Sequence, residues 1–374
     1  VTAGQLRTEK TGIRPCLEEQ GRKRGKPEMN TVSAIVTGCR KIEFVEEKLP
    51  ALGEHDVLIK TDAVGLCHTD LPIYLCQQYF GTSKHGYRES QQVVPPVKIG
   101  HEPVGTVIEV GSAVTRFAPG DKVSGNYTQA FTTYRIVPDT ALLVKLPEMD
   151  RDHRFCIAEP MGCVTNILHK VLQYGARSVG LVGCGYMNLM MMSALRDAGI
   201  ETIVAFDILD SKLSLAKEFG ATHTFNSARE DYVEGTYQLT GGKFLDCVIE
   251  MCGSLNGLFT ACRTVQFSRT NGQLDGEYNG RGYIVITSVY SGLETMSVEL
   301  ANEIVLRAPI LDAAHPMSGE SMLQNDVEAV EDYARGVIPM DRLVTHTTSF
   351  ERLAEGFDWM EHPPEGYLKG VVLF

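Results

Sequence analysis

The sequence predicts an α/β protein in which a doubly wound parallel sheet is inserted into a mainly β domain. Three observations carry that reading. Short apolar strands set between Gly and Pro occupy the first part of the chain, and strands alternate with helices from Ser178 onward. The final stretch offers one helix and one strand, too little to bury a core of its own.

Thr31 to Val36, Val57 to Lys60 and Val104 to Val110 alternate or run apolar, which is the pattern of short strands in the β domain. A second texture begins near Ala176. Ser178 to Val182 is a continuous apolar strand, Gly183-Cys184-Gly185 a turn, and Tyr186 to Ala198 a helix stopped by Gly199. Thr202 to Phe206, Ser211 to Phe219 and Thr222 to Phe225 repeat strand, helix and strand, and Leu245 to Glu250 and Gly282 to Ile286 continue the series. Such alternation builds a parallel sheet wrapped by helices. The run Met190-Met191-Met192 reads as core filling. After about residue 310 the alternation stops, and Phe350 to Phe357 and Gly366 to Phe374 are expected to return to the β domain as a helix and a closing strand. The division is therefore 29–168 for the first part of the β domain, 169–310 for the doubly wound domain and 311–374 for the return. Residues 1–28 hold seven Lys or Arg against four Glu without apolar periodicity, and read as a flexible extension with no targeting role assigned.

Composition narrows the function classes. A length of 374 residues suits two domains, and 43% hydrophobic with 22% charged residues is globular. No apolar run approaches the roughly 18 residues of a membrane span. A net charge of -12 argues against nucleic acid as a partner. The ten cysteines are scattered without a C-x-x-C pair, so they read as reduced thiols, and a cytoplasmic protein is expected.

Gly183 and Gly185 stand where a strand must turn directly into a helix, so backbone N–H groups at the helix start can approach a pyrophosphate. Alone, G-x-G is a weak signal. Asp207, 22 residues beyond Gly185 at the end of the next strand, strengthens it, because a carboxylate there accepts the ribose hydroxyls of NAD and repels the 2'-phosphate of NADP. NAD is the expected cofactor. The third glycine of the fingerprint is replaced by Asn188, which implies a slightly displaced helix or an amide that bonds locally.

Four further landmarks precede this turn: Gly65-Leu66-Cys67-His68-Thr69-Asp70, Gly100-His101-Glu102, Gly120-Asp121-Lys122-Val123 and Ala158-Glu159-Pro160. Each alone is ordinary, since a lone Cys is usually core and Glu-Pro commonly just opens a helix. In this order, ahead of a dinucleotide turn, they resemble the zinc-containing medium-chain dehydrogenase family, over essentially residues 31–374. The resemblance implies a Rossmann domain inserted in a GroES-like catalytic domain and one catalytic Zn2+ per chain. It makes Cys67, His101 and Glu159 the metal ligands, with Glu102 able to replace water as a fourth. That donor set of S, N and O leaves a position open for substrate, as catalytic zinc requires. The resemblance also gives Asp70 as the partner of the histidine ligand, Thr69 as the hydroxyl that exchanges a proton with the alcohol, Lys369 as a contact to the pyrophosphate, and Cys163 as a neighbour of the nicotinamide.

Two departures narrow the branch. No cysteine occurs between Cys76 and Cys156, so the four-cysteine lobe of a structural zinc is missing. Pro72 stands where the alcohol dehydrogenases carry a proton-relaying histidine, so the relay must end elsewhere, with Glu102 or Glu159 as candidates. The expected activity is zinc-dependent hydride transfer between a polar, polyol-like secondary alcohol and NAD, in a homo-oligomer. The rivals are a zinc-independent NADPH-dependent alkene or quinone reductase of the same superfamily, and a dehydrogenase-derived binding protein without turnover. The connection from Leu71 to Gly100 leaves one open choice. Its middle, Gly81 to Arg88, gathers Lys84, His85, Tyr87 and Arg88, and reads as a lid over the substrate, a solvated loop or an oligomer contact.

Overall fold

The computed structural model describes residues 29–82, 88–267, 281–288, 290, 295–314 and 322–374, with backbone only for 78–82 and 88–91. Six strands form an all-parallel sheet in the order His223–Asn226, Thr202–Asp207, Ser178–Val182, Cys247–Glu250, Tyr283–Ile286, Ile310–Ala313. The chain winds outward in one direction from Ser178–Val182 and then in the other from Cys247–Glu250. The crevice at the carboxyl ends of these two strands is where such sheets bind ligands. The sequence places every one of these strands within a few residues except Ile310–Ala313, which crosses the expected boundary at 310.

The β domain is a seven-stranded sheet. Its main path runs Leu142–Lys145, Lys122–Asn126, Pro103–Val110, Asp56–Gly65, Lys369–Leu373, Val344–Ser349, with Tyr134–Pro138 also paired to Asp56–Gly65. The C-terminal strand lies antiparallel to Asp56–Gly65, with Val371 opposite Gly65. The chain thus returns to the domain it started from, as its final segment implies. A three-stranded sheet of Lys41–Lys48, Asn30–Gly38 and Val97–Lys98 packs beside it. Lys41–Lys48 goes unrecognised in the sequence because its side chains are mostly exposed and charged.

Helix Ala158–Gln173 joins the two domains. Its buried residues include Met161, Val164, Ile167 and Val171, and they belong to one continuous apolar cluster with Val104 and Val144 of the β domain and Val179 and Leu181 of the parallel sheet. Met190, Met191 and Met192 are fully buried in that cluster. Helix Met322–Arg335 lies against Ala158–Gln173 and buries Asp326, Ala329, Val330 and Tyr333. That is helical spacing, diluted in the sequence by the acidic residues between. Among the described residues no helix is long and apolar enough to cross a membrane.

Between Leu71 and Gly100 the chain forms a short helix, Leu71–Tyr74, and a hairpin of Gln78–Thr82 and Arg88–Gln92. Lys84, His85 and Tyr87 lie outside the described residues, and Arg88 opens the second strand of the hairpin.

Leu66, the residue before Cys67, is 2% exposed. Its amide donates to the Gly370 carbonyl at 3.0 Å, and its side chain fills the space where a Cβ at Gly356 or Gly370 would fall 2.6 or 2.7 Å from Leu66 Cδ1. The tail helix and closing strand therefore grip the chain at the foot of the Cys67 loop. Leu66→Ala is expected to lower unfolding free energy by about 2–5 kcal/mol in denaturant titrations, the usual range for a buried Leu truncation.

Candidate metal and dinucleotide site

Cys67 follows directly on the strand Asp56–Gly65, and His101 and Glu102 directly precede its neighbour Pro103–Val110. The sheet register thus sets their spacing: the Gly65 amide donates to the Glu102 carbonyl at 2.9 Å. Gly65 is required for a second reason, since a Cβ there would fall 1.9 Å from Glu102 Oε2. The ligand atoms of Cys67, His101 and Glu102 all lie within 4.8 Å of one another. A sulfur, an imidazole nitrogen and a carboxylate oxygen at that spacing fit a zinc ion after a small contraction, its bonds being about 2.0–2.3 Å.

The turn that carries Cys67 also carries two supporting side chains. Thr69 Oγ1 donates to Cys67 Sγ at 3.2 Å and lies 3.4 Å from His101 Nε2. Asp70 is 5% exposed; its Oδ1 accepts from the Gly100 amide at 3.3 Å and its Oδ2 pairs with His101 Nδ1 at 3.3 Å. With Nδ1 engaged, Nε2 is the nitrogen left to face Cys67, which is how a carboxylate orients a metal-binding imidazole. Burial opposes charge on His101, but hydrogen bonds to Asp70 and Cys67 outweigh it and push its pKa up to about 12. Burial, reinforced by Glu102, pushes the Cys67 thiol up.

Glu159 lies outside that trio, in the first turn of Ala158–Gln173. Burial and the Glu102 carboxylate push its pKa up to about 7, against the pull of His101 and Lys369. The Cys163 thiol approaches Glu159 Oε1 at 3.9 Å, one helical turn on. Asp326, which the sequence reading passed over, is 3% exposed, and burial followed by Glu159 pushes it up to about 8. Its only sequence signal is a carboxyl on the buried stripe of a helix. Lys369 is also buried: Nζ is 2.6 Å from Glu102 Oε2 and 4.9 Å from the ring centroid of Tyr186. It therefore sits between the metal trio and the first residue of the dinucleotide helix.

At the glycine turn, Gly183 takes a φ of 82° and packs against Cys252, whose Cβ would be 2.9 Å from a Cβ at 183. Gly185 caps helix Tyr186–Asp197 and faces open space. Asp207 Oδ2 accepts from the Cys184 amide at 2.7 Å and Oδ1 from the Leu209 amide at 2.9 Å. The Asn188 amide donates to the carbonyls of Val182, at 3.0 Å, and Gly183, so this departure is met by local bonding. Across the crevice stands Glu250, unread as a site residue. It is fully buried, accepts from the Cys252 and Gly253 amides at 2.9 Å each, and from the Tyr290 hydroxyl at 2.6 Å. A charged residue ending an apolar strand was its signal.

Comparison with known proteins agrees with this arrangement. Residues 53–148 match the alcohol dehydrogenase GroES-like domain and residues 187–268 the zinc-binding dehydrogenase domain. An L-threonine 3-dehydrogenase of Caldanaerobacter subterraneus subsp. tengcongensis is 30% identical over 254 residues, 60% of this chain and 70% of that protein. The fold matches 2R,3R-butanediol dehydrogenase from Bacillus subtilis, with a TM-score of 0.73 at 21% identity over 92% of this chain and 99% of that one. It also matches a zinc-binding dehydrogenase from Sinorhizobium meliloti bound to NADP, with a TM-score of 0.71 at 24% identity over 92% and 100%. The chain belongs to the zinc-type medium-chain dehydrogenase family. It is an oxidoreductase of the alcohol and polyol dehydrogenase kind, working with zinc and a nicotinamide cofactor.

Three raised pKa values give the metal-free protein a definite pH response. Glu159 and Asp326 hold protons in the fold that the unfolded chain releases above roughly pH 4. His101 stays charged in the fold where the unfolded imidazole, near 6.5, has lost its proton. In each case the native state binds more protons, so stability falls as pH rises; His68, depressed by burial, works the other way but is one group against three. Melting of zinc-free protein should therefore move to lower temperature between about pH 5 and pH 8, and zinc should flatten this dependence. A metal-free melting temperature that rises across that window would contradict the assignment.

Proposed function

We propose that the chain oxidises a polar secondary alcohol with NAD as hydride acceptor, at a zinc ion held by Cys67, His101 and Glu159, with Glu102 as an exchangeable fourth ligand. The observation that carries this reading is the contact of one hydroxyl, Thr69, with both Cys67 Sγ and His101 Nε2. Bound zinc supplies Lewis acidity that lowers an alcohol's pKa, and the nicotinamide supplies the hydride acceptor. The rest is the work of this chain. Thr69 relays the alcohol proton, accepting it at Oγ1 as it releases its own hydroxyl proton, Asp70 keeps His101 oriented, and the crevice holds the reactants against each other. Glu102 or Glu159 passes the proton onward, since Pro72 cannot. Cys163 lies beside the nicotinamide, and Lys369 draws the pyrophosphate toward the turn at Gly183 and Gly185. The NAD-binding part runs from 169 through the strand Ile310–Ala313, past the expected boundary at 310, and the catalytic part comprises 29–168 and the residues that follow that strand.

Asp207 supports NAD over NADP, since its carboxylate ends the strand beside the glycine turn and its two backbone bonds fix its position. Self-association belongs to the same reading. Val298, Val305 and Leu306 are 72%, 73% and 79% exposed on helix Val298–Arg307, just before the edge strand Ile310–Ala313. A cytoplasmic location is supported by the free thiols of all nine described cysteines. A polar substrate follows from the carboxylate ligand and the missing cysteine lobe, both closer to the polyol branch than to the ethanol branch.

An NAD reduction screen over polyols, sugar acids, amino alcohols and aryl alcohols tests the substrate class on zinc-replete protein. One zinc per chain is expected, and Cys67→Ser should lose metal and turnover while still binding NAD. Two tightly held zinc ions would overturn the ligand set. Asp207→Ala should narrow the ratio of kcat/KM for NAD over NADP, and a wild type that uses both equally well would remove the argument from this carboxylate.

A further inference from the structure

We infer that Glu250 is a positioning residue for the nicotinamide half of the cofactor, because one buried carboxylate ties together the two segments that border that half of the crevice. The inference rests on the reading of the crevice as the dinucleotide site. A doubly wound sheet takes a dinucleotide across its switch point, one mononucleotide over each half. Asp207 ends a strand of the first half, made of His223–Asn226, Thr202–Asp207 and Ser178–Val182, and on that reading takes the adenosine ribose. The nicotinamide end then belongs to the second half, over the carboxyl ends of Cys247–Glu250 and Tyr283–Ile286. Residues 251–253 leave the first of these strands, and the segment that holds Thr287 and Tyr290 leaves the second.

Glu250 is fully buried and bonded to both segments. Its Oε1 accepts from the amides of Cys252 and Gly253 and from the Cys252 thiol, each at 2.9 Å. Its Oε2 accepts from the Tyr290 hydroxyl at 2.6 Å. The Glu250 carbonyl accepts from the Thr287 amide at 3.2 Å and the Thr287 hydroxyl at 2.9 Å. A Cβ at Gly257 would fall 2.8 Å from Oε1, so the carboxylate lies against the first turn of helix Leu255–Thr264, whose positive end favours an anion. The turn at 251–253 needs Gly253, at a φ of 66°, and it seats Cys252 against Gly183 of the glycine turn. The carboxylate thus fixes the 251–253 turn beside the glycine turn and ties the Tyr290 side chain to the same point. Its removal leaves two amides and a hydroxyl without their acceptor and frees both segments.

NADH and ADP-ribose separate the two halves of the crevice, since ADP-ribose keeps the adenosine ribose and pyrophosphate but lacks the nicotinamide. In titrations of the zinc-replete full chain, Glu250→Ala should weaken NADH about 10–100-fold, the size expected when bonds to a buried charged group are lost. It should leave ADP-ribose unchanged and move the fluorescence of bound NADH toward that of the free dinucleotide. Glu250→Gln keeps an acceptor for the two amides and a polar group toward Tyr290, and should restore most of the NADH affinity. Tyr290→Phe removes one bond while the carboxyl stays in place, and should weaken NADH alone by about 5–10-fold. This second variant carries the test if Glu250→Ala does not fold. An equal loss of both ligands in the variants would make Glu250 a structural residue of the whole domain and overturn the inference. NADH binding unchanged in the variants would remove the positioning role and leave the dinucleotide site standing. A wild type that binds neither ligand would overturn the dinucleotide reading and this inference together.

Discussion

The buried ion pair of Lys369 and Glu102 is the constraint around which the rest of the site is arranged. Both side chains are within a few percent of complete burial, and their charged atoms are 2.6 Å apart. A buried pair contributes little net stability by comparison with an apolar pair, but removing one partner leaves a buried charge at a cost of about 3–5 kcal/mol. The two residues are therefore tied to each other. Burial pushes the Lys369 pKa down, yet Glu102 and Cys67 outweigh it and hold it above the ordinary value.

That tie explains the course of the chain. Glu102 belongs to the first part of the β domain and Lys369 to the last strand, so the pair forms only if the chain returns after completing the parallel sheet. The returning strand brings Gly370 and Val371 against Leu66 and Gly65, at the base of the metal loop. The same lysine lies over Tyr186, the first residue of the dinucleotide helix. One cation thus borders both the site that would hold a metal and the helix start that would hold phosphates, in the cleft between domains.

The alternation from Ser178 to Ile286 was legible because a parallel strand buried on both faces must be continuously apolar, and the helices between end at glycines. Cys67 and His101 came from the family resemblance, which gave Glu159 as the third ligand and Glu102 as a fourth, whereas the structure groups Glu102 with Cys67 and His101, its carboxylate lying where a Cβ at Gly65 would fall. Helix Met322–Arg335 was not read, since its buried stripe contains Asp326 and its exposed positions are acidic, which hides the apolar period. Asp326 and Glu250 escaped for a common reason. Each is a charged residue made meaningful by a contact distant in sequence, and periodicity reports burial only for apolar residues.

Asp207 shows how far a local motif can carry more than one role. Its carboxylate spans the Cys184 and Leu209 amides and so braces the glycine turn against the loop at the end of the next strand. Asn188 braces the same turn from the helix side through Val182 and Gly183. The missing third glycine is therefore matched by a second polar brace rather than by a looser turn. Because both Asp207 oxygens already accept backbone bonds, the carboxylate is held in one place by the chain itself. Preorganisation of the turn thus follows from the same two hydrogen bonds.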